Sequence, residues 1–577
     1  VTSRSPFLPH PHPSRPWLPL LAAVSFALRP AGLRAQQAAP KARDAHSDTA
    51  GVMDRMPPMQ KGMNMRLGLE SERPSVQPWL PGQGVDPSTL PEAEPNHTIR
   101  MSDGDTLDLT AGLVRRTLRG KTVIMYAFNN QYPGPLIRVK RGTTIVVRFH
   151  NRLDLPSTVH WHGLRIDNPY DGVPGVTQDP VPPGGDFVYH VHFQDAGVYW
   201  YHPHVRGDIE ISAGLYGNEI VDSPIYGFNN PVNREQQLML SDLLFDKDGL
   251  FPYGKTTSDF AIMGRFGNLF LVNGEPDFRM KIHRGDVVRY YITDVSSSRS
   301  YNVVFAGGRT KLVGADMGAY EREAWVPSIP IAVAQRYVAE VRYDSAGTFP
   351  ILNQVQAINH VKGTFFPEVD TLGSVEVSPQ PSDSDFAKSF ATLHDRDSVT
   401  ADIARYRKYF DEPVDKHLEL TVNIQGLPGR VQTLMASDTM YYPPVEWNDG
   451  MPKMNWISTG HEVRWILRDP DTGKENMDIH WHFKTGSVVK IQIHNDPLSM
   501  HPMNHPIHFH GQRFLVLSRD GVPTENLAWK DTVLVPVGST VVILMDATNP
   551  GTWLAHCHIA EHLDTGMKMT FTVGPSP

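Results

Sequence analysis

One pattern occurs three times along the chain and limits what it can fold into. A turn glycine (Gly142, Gly285, Gly486) feeds a strand of alternating polar and apolar residues that ends in Asn151, Asp294 or Asn495. A second element follows each copy in the same order: Gly197-Val198-Tyr199-Trp200, Gly347-Thr348-Phe349 and Gly551-Thr552-Trp553. Period-two alternation behind a glycine turn is a strand signature, and self-similarity at a fixed order means repeated units. The expected fold is therefore all-β, with three consecutive β-sandwich domains at 95–228, 229–380 and 416–577. The 46 glycines and 49 prolines suit many short strands and turns. Residues 381–415, with Phe386, Phe390, Ile403, Tyr406 and Tyr409 among charges, read as a linker containing a short helix.

The ends and the charge narrow the setting. Lys and Arg number 54 against 62 Asp and Glu, a formal charge of −8, so the chain lacks the basic excess of a nucleic-acid binder. Residues 17–28 form a short apolar stretch with Arg4 and Arg15 before it and Leu33-Arg34-Ala35 after it. That is the pattern of a secretory signal within 1–35, implying export to a periplasmic or extracellular space. No apolar run reaches the roughly 20 residues of a spanning helix, so stable membrane insertion is not expected. Residues 36–94 read as a Pro- and Met-rich tail, wrapped on the surface or disordered.

Histidine placement carries the chemistry. Residues i and i+2 of a strand share a face, so His-x-His offers two imidazoles to one site. Four pairs fall at repeat positions: His160 and His162, His202 and His204, His508 and His510, His556 and His558. His202 and His556 each lie five residues past their element glycine, where the middle unit has Leu352. The middle domain thus reads as a spacer, with eight imidazoles meeting between the outer two. His480 and His482 precede Gly486 instead of following it, and they read as plain strand alternation, as do His190 and His192.

The chain has a single cysteine, so no intramolecular disulfide is possible. Cys557 lies between His556 and His558, five residues before His562 and ten before Met567, and His505 stands just ahead of the third histidine pair. One thiolate, two imidazoles and a weak axial thioether make a blue-copper ligand set. Zinc is the competing metal, but four histidine pairs plus a methionine exceed what a four-coordinate zinc site uses. On the strand, Cys557 faces opposite to its two neighbours, which would join a metal on the thiolate to metals beyond it through one stretch of backbone.

Over about 95–577 these motifs resemble the multicopper oxidases, and within them the bacterial three-domain laccase-like branch, built of Greek-key cupredoxin domains. The resemblance implies four copper ions: one type 1, one type 2 and two type 3. It makes His505, Cys557 and His562 the type 1 ligands with Met567 axial. It gives His160 and His508 to the type 2 copper, and His162, His202, His204, His510, His556 and His558 to the type 3 pair. It further implies four one-electron oxidations of a small donor coupled to reduction of dioxygen to two waters. Asp171 matches the family's proton-relay aspartate, the plainer reading being an Asp-Gly turn. A second relay acid found in some relatives is replaced here by Leu563, leaving Glu561 and Asp564 as weak substitutes. At Gln512 many members carry another histidine, which is not a ligand.

The expected donors are phenols and aromatic amines, as in laccases, with Cu(I) and Fe(II), as in periplasmic metal oxidases of copper tolerance, as the alternative. Met53, Met56, Met59, Met63 and Met65 cluster in the tail, and Met435, Met440, Met451 and Met454 recur in the third domain. Thioethers suit Cu(I), but the plainer reading is flexible apolar packing of a tail and loop. Met500 and Met503, beside His501, are expected to line the type 1 approach. Two outer domains supplying one cluster make a monomer sufficient.

Overall fold

In the computed structural model the described residues are 55–58, 69, 71–359, 364–437 and 448–575. The apolar leader, Met53, Met59, Met63, Met65 and Met440 lie outside them, as does the side chain of Met435. Among the described residues no helix is long and apolar enough to cross a membrane.

Among the described residues the strands form three pairs of large sheets and two two-stranded ribbons. The first pair has four strands (Lys121–Phe128, Thr106–Leu118, Thr144–Arg152, Asp186–His192) and five (Thr98–Arg100, Leu136–Lys140, Gly217–Asp222, Gly197–His202, His160–His162). The second pair has six and five strands drawn from Arg234–Leu243 to Thr364–Pro381, and the third has seven and five drawn from Lys416–Ile424 to Lys568–Gly574.

The repeated glycines have equivalent jobs. Gly142, Gly285 and Gly486 sit at φ 89°, 91° and 86°, a left-handed turn that residues with a Cβ rarely adopt. The strand after each glycine has the same neighbours. Thr144–Arg152 runs parallel to Thr106–Leu118 and antiparallel to Asp186–His192. Val287–Asp294 has one parallel and one antiparallel partner in the same way, and so has Ser487–Asn495. Each unit is thus a mixed-sheet sandwich in which the chain crosses between the two sheets several times.

This topology puts the histidine motifs side by side. His160 faces His202 across one antiparallel pair, and His508 faces His556 across another. In the middle unit the matching register pairs Val304 with Leu352. Alternation sends Trp161, between its two histidines, into the main apolar core, whereas His480 and His482 point outward on their strand.

The linker departs from the sequence reading, and the described tail follows one of its two alternatives, a wrapped surface segment. The linker carries two short helices, Ala387–Ala391 and Asp397–Ala404, instead of one, because buried Phe390, Val399 and Ile403 seat separate turns. The described tail is tied to the body: the Arg55 guanidinium pairs with Asp246 and donates to Leu250 O, Leu69 is buried, and Pro78–Trp79 pairs with Tyr253–Gly254.

Candidate metal centre

The thiol site is assembled from two adjacent strands and one helix. His505 opens the strand His505–Phe509, Cys557 closes the strand Gly551–Cys557, and His562 lies in the helix Ala560–Asp564. Cys557 Sγ is 3.5 Å from His505 Nδ1 and 3.8 Å from His562 Nδ1, and the two nitrogens are 3.3 Å apart. All three side chains are buried. Met567 is fully buried and tied to the same loop, its N–H donating to His562 O and its carbonyl accepting from Cys557 N–H. Trp465 stacks on the His562 ring at 4.1 Å and donates its indole N–H to Ala261 O. Burial, with His501 nearby, pulls His505 down to about 3, and burial pushes the Cys557 thiol up. Without a cation the site is a neutral thiol beside neutral imidazole lone pairs.

The eight paired histidines meet in one cluster, and for six of them an outward hydrogen bond sets the tautomer. His160 Nδ1 donates to Asp171 O, His202 Nδ1 to Pro203 O, His508 Nδ1 to Asp531 O, and His556 Nδ1 to Cys557 O. His510 Nδ1 donates to the Asp171 carboxylate at 2.9 Å. His162 is reversed, with Nε2 donating to Asp531 Oδ1 at 3.1 Å. The inward nitrogens therefore carry lone pairs and no proton.

These lone pairs face one another. His162 Nδ1 is 3.2 Å from His558 Nε2 and 3.5 Å from His202 Nε2. His510 Nε2 is 3.0 Å from His556 Nε2, in a group with His204. The Nε2 atoms of His160, His204 and His508 are buried without a hydrogen-bond partner. Burial holds His162, His202, His204, His508, His510, His556 and His558 below the usual imidazole range. Facing acceptors and orphaned buried nitrogens are costly unless a cation lies between them. Neutral imidazoles with one thiol are a donor set that copper favours.

Some residues around the cluster carried no signal in the sequence. Asp531 and Thr532 follow an ordinary strand approach, and only the pairing of Thr532 with His508 brings them to the site. Arg336 reaches Asp531 from the middle sandwich, so that unit is more than the expected spacer. Trp200 stacks on His202 at 4.1 Å. Close backbone approach is built in at two glycines: a Cβ on Gly172 would meet Val159 O at 2.0 Å, and one on Gly163 would meet Asp531 Oδ2 at 2.4 Å.

Asp171 is fully buried against the cluster. Glu561 and Asp564 turn away from it. Glu561 accepts from Ser298, and burial pushes its carboxyl up to about 8. Asp564 accepts from Thr257 and from the backbone and hydroxyl of Ser258. Their helix directs both carboxyls toward the middle sandwich. Met451, Met454 and Met503 are buried, and Met500 is exposed.

Two family models, each described as multicopper oxidase, match residues 112–225 and 447–577. Those segments hold all the histidine pairs and the cysteine loop. The chain belongs to the multicopper oxidase family. As a multicopper oxidase it is an oxidoreductase with dioxygen as acceptor and copper as cofactor. Multicopper oxidase MmcO of Mycobacterium tuberculosis is 26% identical over 491 residues, 80% of this chain and 86% of its own. Laccase-1 of Cryptococcus neoformans is 27% identical, covering 78% of this chain and 77% of its own. Iron transport multicopper oxidase fetC of Epichloe festucae is 26% identical, covering 78% and 72%. Among solved structures, a multicopper oxidase from Campylobacter jejuni, titled a metallo-oxidase, superposes with TM-score 0.61 at 21% identity over 87% of this chain and 98% of its own, a likeness of fold.

Proposed function

We propose that this multicopper oxidase accepts electrons singly at the Cys557 site and spends four of them reducing dioxygen to two waters at the eight-imidazole cluster. The observation that carries the reading is the tripeptide His556-Cys557-His558, whose thiol faces one site while its imidazoles face the other. In this reading His505, Cys557, His562 and Met567 would hold a type 1 copper. His160 and His508 hold a type 2 copper, and His162, His202, His204, His510, His556 and His558 hold a type 3 pair. Bound copper would supply one-electron redox chemistry at the thiolate and oxygen reduction at the cluster. The protein's own part is to fix six of the eight cluster imidazoles by an outward hydrogen bond, to exclude water by burial, and to place the Asp171 carboxyl against the cluster as its proton relay. The Asp171 carboxylate touches His510, and its Oδ1 makes no hydrogen bond. We also take the chain as exported, on the apolar stretch 17–28, and divide it into domains at 95–228, 229–380 and 416–577.

The donor is best read as a small reduced metal ion, Cu(I) or Fe(II). His562 is fully buried beneath Trp465, whose indole is held by Ala261. The 261–264 segment is in turn bonded to the helix Pro452–Ile457 through Ser458 and Asn455. A planar phenol cannot reach the ring edge through those layers. The second reading, a laccase-type organic donor, draws support from relatives named laccases and from the exposed apolar Leu498 and Met500 near His501. Oxygen uptake with Cu(I), Fe(II) and a phenol separates the two. A kcat/KM at least about tenfold higher for a metal ion is expected, and a phenol preferred by that margin would overturn the metal-ion reading.

A further inference from the structure

Asp531 meets the cluster in two ways. Its backbone carbonyl accepts the Nδ1 proton of His508 at 2.8 Å, and its carboxylate accepts the Nε2 proton of His162 at 3.1 Å. The two rings stack at 3.8 Å, yet they turn opposite nitrogens inward. Thr532 Oγ donates to the same carboxylate and lies 3.2 Å from His162 Nε2.

The carboxylate itself is clamped from the middle sandwich. Both terminal nitrogens of Arg336 donate to Asp531, one to each oxygen. The guanidinium is held in turn by Val198 O and Ala334 O, and the Arg336 N–H by Asp316 Oδ1. Lys530 Nζ lies 3.0 Å from the other Asp316 oxygen. Arg336, Asp316 and Asp531 are all fully buried. A bidentate pair with four of the five guanidinium hydrogens engaged has little freedom to rotate.

We propose that Asp531, locked by Arg336, is a positioning residue that selects the His162 tautomer with its proton on Nε2, leaving Nδ1 for the cluster. The competing tautomer is close at hand. With no acceptor behind it, His162 would carry its proton on Nδ1 and donate to His558 Nε2, only 3.2 Å away, silencing two ligand nitrogens at once. The middle domain thereby sets the protonation pattern of a cluster to which it gives no ligand. This inference rests on the reading of the cluster as a copper site.

The test compares copper-loaded wild type with Asp531→Leu, Asp531→Asn and the double variant Asp531→Leu/Arg336→Leu. The readouts are copper per chain, the blue thiolate absorption, and the near-ultraviolet and electron paramagnetic resonance signals of the cluster. Removing Asp531 alone leaves a buried guanidinium unpaired, a fold-wide penalty that the double variant relieves. The double variant is expected to keep the blue absorption but to retain cluster copper about ten- to a hundredfold less well, the range for lost outer partners of metal-bound histidine. Asp531→Asn, which still offers an oxygen to His162, is expected to keep its cluster copper. Wild-type cluster copper in the double variant, or equal loss in Asp531→Asn, would overturn the role given to Asp531. A wild-type chain that loads copper only at Cys557 would instead sink the reading of the cluster.

Discussion

Asp171 and Asp531 do matching jobs on opposite sides of one cluster. Each uses its backbone carbonyl to hold one histidine, His160 or His508, and its carboxylate to hold another, His510 or His162. One comes from the loop after the first histidine pair, the other from the strand Thr532–Val535 and its approach. The difference is the third partner. Asp531 is gripped by Arg336, whose charge and hydrogen bonds overcome burial and hold it well below the usual carboxylate range. Among the described residues Asp171 has no Lys or Arg in contact, and its Oδ1, without a hydrogen bond, lies 3.3 Å from His160 Nδ1. The same scaffold thus holds one aspartate as a clamped anion and leaves the other with one carboxylate oxygen free of a hydrogen bond among the described residues.

The sharpest way to break this comparison is to neutralise both residues. Asp171→Asn is expected to keep the thiolate absorption and lower oxygen reduction about 100-fold or more, the usual scale for a lost proton-transfer group. Asp531→Asn should lose much less, since a locked anion transfers no proton. Equal losses in the two variants, measured as oxygen-uptake kcat, would erase the distinction.

The glycines beside the two aspartates give the next largest effect. Gly172→Ala drives a methyl into the backbone at Val159, whereas Gly163→Ala meets side-chain atoms of Asp531 and Arg336. Both positions have positive φ, 81° and 87°. Gly172→Ala should cost ~3 kcal/mol or more, because backbone cannot yield, and Gly163→Ala should cost less stability but more cluster copper. Denaturant melts and copper counts on both variants check the ordering.

The smallest expected effect concerns Glu219, another buried carboxyl near Arg336 but outside its hydrogen bonds. Neither of its side-chain oxygens has a hydrogen-bond partner, and burial pushes it up to about 8. A raised carboxyl binds more protons in the folded state. Its stabilising contribution is therefore full below the unfolded value of about 4.5 and is lost as pH rises through 8. Glu219→Gln should gain ~1–3 kcal/mol over wild type between pH 5 and pH 8, read from melts at each pH. A constant difference would mean that Glu219 does not carry this linkage.

The histidine and cysteine motifs were legible because their spacing is local. Strand alternation puts His160 with His162 and His556 with His558, and a one-turn helix returns His562 to Cys557. The repeat glycines announced three sandwiches for the same reason, since a left-handed turn before a strand leaves a mark in sequence. Asp531 left none: it reaches His162 across 369 positions, and its partner Arg336 lies 195 positions back. The middle unit looked inert because it lacks histidine, whereas its contribution is a buried charge that reaches across an interface. Glu561 shows the converse. Its place next to His562 suggested a proton relay, yet the helix turns its carboxyl toward Ser298.

The central claim is that Cys557 is a metal thiolate joined to the cluster through its two neighbours. Visible and electron paramagnetic resonance spectra of copper-loaded wild type and Cys557→Ser test it most directly. The account predicts an intense blue type 1 signal in wild type that disappears in Cys557→Ser while the cluster signals stay. A wild-type chain loaded with copper but without that signal, or a Cys557→Ser variant that keeps it, would contradict the account.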